Sequence, residues 1–333
     1  MSELKPVGEI RRELRGRLPA EAFQAEPRQL ITLFAHLAII VGCVYALNWL
    51  QGPLWAIFLG VIMGSSIFCI GNLCHYLGHG SIVQNRRLRY AAEYFFFAIT
   101  LTPATVFKVV HNQYHHAYTN GRNDTFRCFA EDERTFLRTV IRLLFFPNKH
   151  LPWNPLVLVS YNLVVFSQIG FAMFGRSGRI SSVIPLVPTY TRKQRLAIWL
   201  EVLGSVAFIL ALSLLVGQDT GFVLALLVAY SIATAISCFY IYIQHDTIEL
   251  SEENHPLKNS MNLQSGQFLN WLHSNVSYHI EHHLFPGMNF KYAETLSQLL
   301  KEKYPEHYRV ASGRKVWADL FRNDIYKTPP TTP

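Results

Sequence analysis

The sequence predicts an all-α, polytopic integral membrane protein with four transmembrane helices in two hairpins, interfacial helices and a histidine-rich cytoplasmic cap. Three observations lead to this fold class. Half of the 333 residues are hydrophobic and only 16% are charged, whereas charged residues make up about a quarter of a typical soluble domain. Four segments are long and apolar enough to cross a bilayer. Nine of the 14 histidines lie in four short groups that follow or connect these segments.

The first 30 residues are predicted to be a cytoplasmic N-terminal segment. Charges are spread along MSELKPVGEIRRELRGRLPAEAFQ, which therefore lacks the uninterrupted apolar stretch of a cleaved signal peptide. The net charge of +8 is not arranged as a basic stripe interleaved with aromatic residues. Membrane proteins gain Lys and Arg on their cytoplasmic side through the positive-inside bias, so we predict no nucleic-acid partner.

Four transmembrane spans are predicted from length and apolarity. A helix that crosses the hydrocarbon core needs about 20 residues, and four segments meet this requirement, at about 31–50, 53–74, 196–217 and 221–243. Only Gln51 and Gly52 separate the first two spans, and residues 218–220 separate the last two. Each pair is therefore predicted to form a tight helical hairpin.

Two weaker apolar stretches are predicted not to cross. Residues 90–107 contain Glu93 and Pro103, and residues 155–175 contain Asn162. Basic residues cluster before the first span, at 86–89, around 122–149 and at 176–195, and the positive-inside rule places all four clusters in the cytoplasm. An even number of crossings must then separate them, so both stretches should lie in the interface or re-enter. The membrane domain is predicted to end near residue 310, and 311–333 to be a C-terminal tail.

The histidine groups predict a metal site. They are HYLGH (His75, His79), HNQYHH (His111, His115, His116), QHD (His245) and HIEHH (His279, His282, His283). Residues three or four apart share one face of an α-helix, which pairs His75 with His79, His111 with His115, and His279 with His282 or His283. The adjacent histidine of each HH pair lies about 100° around the helix and could reach a second metal. Neutral imidazole binds iron, zinc, copper and nickel.

The predicted topology supports a single site, because every group follows the cytoplasmic end of a span or lies in a cytoplasmic segment. Two other classes of protein fit this arrangement less well. A metal transporter would place its ligands near the bilayer centre, where only His36 lies, and a haem-anchoring protein needs only two axial histidines. His150, His255 and His307 lie in polar surroundings, and these and His273 are left outside the predicted site.

With these motifs the chain resembles the membrane-bound fatty acid desaturases and their hydroxylase relatives. HYLGH, HNQYHH and HIEHH are similar to the three histidine boxes of that family, and IYIQHD is similar to its motif that supplies one more histidine after the last span. The resemblance covers roughly residues 31–300. It implies two iron ions held by the nine histidines and dioxygen as co-substrate.

The resemblance also implies a fatty acyl substrate and an electron donor. The acyl chain could be carried by a membrane lipid, CoA or acyl carrier protein, and the two electrons would come from a separate ferredoxin or cytochrome b5. The expected reaction is the introduction of a double bond; a hydroxylase, acetylenase or ketolase outcome stays open. Since no targeting or retention signal is evident, we expect a bacterial inner membrane rather than the endoplasmic reticulum.

Four further polar residues are candidates for supporting the metal ligands. A ligating histidine usually donates its second N–H to a carboxylate or carbonyl group, and Asp124, Asp246 and Glu281 are placed to accept it. The resemblance implies that Asn275 could bind iron through a water molecule. Two alternatives stay open: Glu281 could face solvent, and Asp124 could cap a turn.

Overall fold

A computed structural model of the chain describes residues 4–126, 129–216 and 220–327. It confirms the all-α class: the described chain is mostly helical, and its two strands, β1 (Asn262–Gln264) and β2 (Val310–Ser312), form one short parallel pair. Two predicted features lie outside the described residues, namely the centre of the second hairpin turn at 218–219 and the final segment 328–333.

Thirteen helices organise the described chain, with shorter helical turns between them. In order, they are α1 (Val7–Arg15), α2 (Gln29–Ala46), α3 (Pro53–Gly78), α4 (Arg86–Ile99), α5 (Ala104–Tyr118), α6 (Phe136–Phe145), α7 (Ser160–Met173), α8 (Arg192–Ser213), α9 (Thr220–Asp246), α10 (Gln267–Leu272), α11 (His279–Leu284), α12 (Ala293–Lys303) and α13 (Gly313–Leu320).

Each of the four predicted spans forms a long apolar helix. These helices are α2, α3, α8 and α9, with mean hydropathies between 1.9 and 2.2. The segment Pro155–Met173, which contains α7, is also long and apolar enough, at 1.8. The predicted number of four is therefore approximate: by length and composition the described chain has five candidate crossings, and a stretch that we expected in the interface is one of them.

The other weak stretch is broken. Helices α4 and α5 meet at an angle of 104°, and they are long and apolar enough to span a membrane only when they are taken together. At the break Leu101 has φ of 54°, a left-handed conformation that a branched side chain rarely adopts, and Pro103 precedes the first residue of α5. A bend of this size fits a re-entrant segment or a broken span, so the expectation that residues 90–107 do not cross stays a prediction.

Helices α3 and α9 pack with their backbones close together. A Cβ atom at Gly60 would lie 2.8 Å from the carbonyl oxygen of Ala225, and one at Gly64 would lie 2.5 Å from that of Ala229. Small residues at such positions allow membrane helices to approach closely. The contact matters for function because α3 carries the first histidine group and α9 carries His245.

The N-terminal segment packs beneath α11. Ile10 and Leu14 of α1 are buried in one cluster with Ile280 and Leu284 of α11. The guanidinium Nε of Arg11 donates a hydrogen bond of 2.8 Å to the carbonyl oxygen of Leu284. The short helix that carries the third histidine group is thus held from below by residues that precede it by more than 260 positions.

The predicted tail after residue 310 requires a correction. Residues 310–312 pair with β1, and α13 buries Val316 and Leu320. Val316 belongs to the main apolar core, which also contains Ile243 of α9. The sequence analysis did not predict this amphipathic face. Because of it, residues 311–327 are an integral part of the fold.

Candidate metal centre

All nine predicted histidines converge and divide into two groups. In each group one ring nitrogen per residue lies within 4.8 Å of all the others. The five-histidine group contains His75, His79, His111, His116 and His282, and the four-histidine group contains His115, His245, His279 and His283. The other five histidines belong to neither group.

The two HH pairs are each split between the groups, as expected for side chains about 100° apart on a helix. One expected pairing is corrected, however, because His111 lies with His116 and not with His115. Residues 108–115 form a π-helix, in which hydrogen bonds run from i to i+5 and each turn holds more residues than in an α-helix. The α-helical spacing used for the prediction does not apply there.

The remaining ligand positions are built by three local structures. His75 and His79 end α3, one turn apart. His279 and His283 lie one turn apart in α11 and share a group, which decides between the two pairings left open for His279. His245 lies in a second π-helical turn, Tyr242–Asp246, at the end of α9. Rare π-helical turns often occur at functional sites, and here both carry histidines.

The ring nitrogens face one another at short distances. In the five-histidine group, Nε2 of His75 lies 2.7 Å from that of His282 and 3.1 Å from that of His111. In the four-histidine group, Nε2 of His279 lies 2.7 Å from that of His245 and 3.1 Å from that of His283. A neutral imidazole has one N–H and one lone pair, so several nitrogens converging on one point leave lone pairs without protons to accept.

Two further observations fit a metal cation. Nε2 of His79 is buried and has no hydrogen-bond partner in the described chain. Burial, followed by the neighbouring imidazoles, lowers the pKa of His279, His282 and His283 well below the ordinary value. These rings are therefore neutral at physiological pH, and their lone pairs are available to a metal.

Three histidines of the four-histidine group have defined partners for their second ring nitrogen. The Asp124 carboxylate accepts a hydrogen bond of 3.0 Å from Nδ1 of His115, the arrangement expected for Asp124. The backbone carbonyl of Asn259 accepts one of 3.1 Å from Nδ1 of His245. The Thr119 hydroxyl lies 3.3 Å from Nδ1 of His283. Each contact fixes the orientation of a ring.

Sequence analysis missed Asn259 and Thr119, because an isolated polar residue carries no spacing signal. Asp124 also accepts hydrogen bonds from the backbone N–H groups of Asn120 and Phe126, so it shapes its own turn as well as orienting His115. Asp124 therefore has both of the roles that the sequence left open, since it contacts a histidine ring and also caps a turn.

Glu281 and Asn275 do not occupy their expected positions. The Glu281 carboxylate accepts hydrogen bonds from the Tyr308 hydroxyl at 2.5 Å and from Asn262 Nδ2 at 2.7 Å, and it is buried rather than facing solvent. Burial raises its pKa to about 7, and these hydrogen bonds act against that rise. The Asn275 amide donates to the carbonyl oxygen of Phe290 at 2.9 Å. Both residues shape the chain around α11 instead of contacting a histidine ring.

One cavity of about 650 Å³ connects the histidines with the apolar helices. His75, His245 and His279 line one end of it, and Asp246 lines it beside them. Its wall follows α9 back to Phe222, a distance of about 35 Å at 1.5 Å per residue. At the far end the wall includes the exposed apolar side chains of Phe166, Val223 and Leu227. The cavity thus has the shape and chemistry of a site for a long apolar chain.

The fold and the site together define an integral membrane protein in which nine histidines, in two groups that could each hold a metal ion, close one end of a long apolar cavity. A family model described as fatty acid desaturase matches residues 53–314. The chain therefore belongs to the fatty acid desaturase family and is an oxidoreductase, which sets aside the transporter and haem-anchor alternatives.

Curated relatives are similar over most of the chain at low identity. The sn-1 acyl-lipid omega-3 desaturase (ferredoxin) of Synechocystis sp. is 24% identical over 93% of this chain and 85% of its own length. The chloroplastic omega-3 fatty acid desaturase of Glycine max is 23% identical over 89% of this chain and 66% of its own length. The Delta(9) fatty acid conjugase-like enzyme of Dimorphotheca sinuata is 24% identical over 84% of this chain and 75% of its own length.

Proposed function

We propose that this protein is an oxygen-dependent di-iron desaturase that introduces a double bond into a fatty acyl chain. The observation that carries the proposal is the position of the two histidine groups at the closed end of a cavity suited to an acyl chain. In this proposal one iron is held by His75, His79, His111, His116 and His282, and the other by His115, His245, His279 and His283.

The donor set suits iron because it offers neutral imidazoles, several to each ion, and a buried lone pair on His79 that no group in the described chain satisfies. When bound, two iron ions together with dioxygen supply the oxidising power that removes hydrogen from an unactivated methylene group. The protein supplies the geometry.

The residues of this chain have three tasks in the reaction. Asp124 and the Asn259 carbonyl hold the rings of His115 and His245 in one orientation and one tautomer. The cavity wall holds one methylene of a flexible chain against the centre, which converts the reaction into a positioned, effectively intramolecular step. Burial of the histidines excludes bulk water, and with it competing reactions.

The acyl chain is proposed to belong to a membrane lipid that enters sideways. The exposed apolar residues Phe166, Val223 and Leu227 at the far end of the cavity would face the bilayer, and one relative is named an acyl-lipid desaturase. That name also specifies ferredoxin, so a ferredoxin-like carrier is our choice for the electron donor. We further propose that the histidine centre and both termini face the cytoplasm, in a bacterial inner membrane.

Desaturation is preferred to hydroxylation because the relatives with named reactions include omega-3 desaturases and a conjugase-like enzyme. The two outcomes differ in the fate of the substrate after the first hydrogen is removed. A desaturase removes a second hydrogen, whereas a hydroxylase adds oxygen to the carbon.

The experiment combines metal content with product analysis. Protein expressed with ample iron is purified in detergent, its metals are quantified, and lipids from expressing cells are analysed by mass spectrometry. Two irons per chain and acyl chains lacking two hydrogen atoms would support the proposal. Acyl chains that have gained an oxygen atom would replace desaturation by hydroxylation, and a protein that binds no iron under these conditions would refute the centre.

His282→Ala is the informative variant, and His150→Ala is its matched control. His150 is about half exposed and lies near Asp324 on the surface, so its loss should leave iron content and product yield unchanged. His282→Ala should abolish turnover and reduce iron content while the protein remains in the membrane.

A further inference from the structure

His273 lies outside both histidine groups but is bound to the wall of the cavity. Its Nδ1 lies 2.9 Å from the hydroxyl of Tyr240 on α9. Both residues are buried, and Tyr240 lines the cavity. In the described chain no other polar group contacts the ring nitrogens of His273, so its hydrogen bond is directed to Tyr240 alone.

Phe68 of α3 completes a block of three rings, which we name the aromatic wall (Phe68, Tyr240, His273). The rings of Phe68 and Tyr240 are stacked, with centroids 5.6 Å apart and planes 8° apart. The ring of His273 meets Phe68 edge-on, with centroids 4.9 Å apart. Contacts of this kind add to the energy of burial and restrict the rotation of each ring.

The aromatic wall borders the part of the cavity next to the histidine centre. Phe68 precedes His75 by seven residues on α3, which corresponds to about 10 Å along the helix. Tyr240 precedes His245 by five residues on α9, or about 7 Å. Both aromatic side chains line the same cavity as those two histidines. At about 1.2 Å per covalent bond, a bound acyl chain would pass Phe68 and Tyr240 about six to eight carbons from the reacting methylene.

His273 is held in place by a strained turn. The two residues after it, Ser274 and Asn275, both adopt left-handed backbone conformations, with φ of 51° and 59°. Such conformations persist only where the surroundings enforce them, and they are concentrated at functional sites. Here Asn72 of α3 donates to the carbonyl oxygen of His273, and the Asn275 amide donates to Phe290. The turn returns the chain toward α11 and leaves the imidazole beneath Tyr240.

We propose that Tyr240 determines which methylene of the acyl chain is desaturated, and that His273 is a positioning residue that locks the Tyr240 ring. This inference rests on the proposed desaturase function. In this proposal the hydroxyl of Tyr240 binds His273, which fixes the orientation of the ring. The ring of Tyr240 contacts the acyl chain.

The physical reason is the small distance that separates alternative reaction positions. An extended chain advances about 1.2 Å per covalent bond, whereas a misplacement of about 1 Å can change a rate by two orders of magnitude. A Tyr240 ring that is free to tilt would let the chain slip by one carbon. Slippage would change the position of the double bond before it changed the amount of product.

The test uses Tyr240→Phe and His273→Ala, with His273→Gln as a conservative variant. Tyr240→Phe keeps the ring and removes only the hydroxyl. Gln can still accept a hydrogen bond from Tyr240 through its side-chain oxygen. We expect the ratio of a second double-bond position to the main one to rise about tenfold in Tyr240→Phe and His273→Ala, and to return toward the wild-type ratio in His273→Gln.

Tyr242→Phe is the matched control. Tyr242 lies two residues further along α9, about 200° around the helix, and its hydroxyl contacts Ser160 of α7. The same atom is removed from the same helix, but on the face turned away from His273. The position of the double bond should not change in this variant.

A second measurement does not depend on turnover. A stearic acid that carries a nitroxide on its chain is added to the iron-loaded protein without an electron donor, and its mobility is measured by electron paramagnetic resonance. The bound label should become more mobile in Tyr240→Phe than in the wild type or in Tyr242→Phe. Iron content should be the same in all three proteins, because none of these residues lies in either histidine group.

The outcomes separate this inference from the proposed function. If the wild type forms a double bond and Tyr240→Phe forms it at the same single position with the same label mobility, the aromatic wall does not set the position. If the wild type forms no double bond, the proposed function fails first. Tyr240→Phe retains the ring and its stacking on Phe68, so we expect this variant to fold. The test can therefore be carried out even if His273→Ala fails to fold.

Discussion

The two histidine groups differ in how firmly the protein holds them. All members of the four-histidine group are buried, and three of them have partners for their second ring nitrogen in Asp124, the Asn259 carbonyl and Thr119. The five-histidine group has three half-buried members. In the described chain no carboxylate or carbonyl group contacts the second ring nitrogen of any of its histidines.

This contrast shows two ways to build a ligand set. The four-histidine group has fewer rings, and contacts with Asp124, the Asn259 carbonyl and Thr119 orient three of them. The five-histidine group has one additional ring, and four of its five histidines lie at the end of α3 or on α5. We therefore expect the first group to be sensitive to the residues around it, and the second to tolerate the loss of one ligand better.

The largest expected effect comes from removing one ligand from each group. His279→Ala leaves only three rings in its group, so it should abolish turnover and remove one iron per chain. His79→Ala leaves four rings, so the metal should remain with lower affinity. Iron analysis of both variants checks this difference. Equal loss of iron in the two variants would contradict the contrast between the groups.

Asp124→Asn should have the next largest effect. Loss of a partner to a ligating histidine typically costs 10–100-fold in metal affinity or activity, and the amide cannot accept hydrogen bonds with both of its ends. Activity is measured together with iron affinity by competition with a chelator. Asp132→Asn serves as the control, because Asp132 pairs with Arg122 at the surface. This variant should keep the activity and the iron affinity of the wild type. An unchanged Asp124→Asn enzyme would mean that the orientation of His115 comes from packing alone.

Gly64→Ala should act on the spacing between the groups. The new methyl group would lie 2.5 Å from the carbonyl oxygen of Ala229, so α3 and α9 must separate. Overpacking of this kind costs about 1–3 kcal/mol, and a lower thermal midpoint with a modest fall in activity is expected. Gly42→Ala is the control, since nothing lies within 4 Å of a Cβ atom there. Thermal unfolding in detergent compares the two, and equal midpoints would argue against close packing of α3 on α9.

Thr119→Val should have the smallest effect. The contact between Thr119 and His283 is long, at 3.3 Å, and the other bond of the hydroxyl is to the backbone carbonyl of His115, at 2.8 Å, not to its ring. Loss of both should lower activity only about threefold, as for weak hydrogen bonds. Val keeps the shape of the side chain. A loss as large as that of Asp124→Asn would show that the bond to the His115 carbonyl also positions the centre.

Much of the centre is readable from local sequence because its signals are local. The lengths of the apolar segments predict four of the candidate spans, and all nine histidines could be identified from their spacing. Asp124 is predictable for a related reason, since it lies only nine residues from its partner His115. The pairing of His111 was wrong because the prediction assumed α-helical geometry, and nothing in the sequence announces a π-helix at 108–115.

By itself the sequence determined the fold class, four of the five candidate membrane-spanning segments and the set of histidines, because hydrophobic length and residue spacing act within one helix. Only the tertiary structure decided which histidines share a group, that α1 supports α11, and that His273 reaches Tyr240. The reason is physical: these contacts join segments that lie from 33 to more than 260 residues apart. The packing of whole helices selects these partners, and a short sequence pattern does not encode that packing.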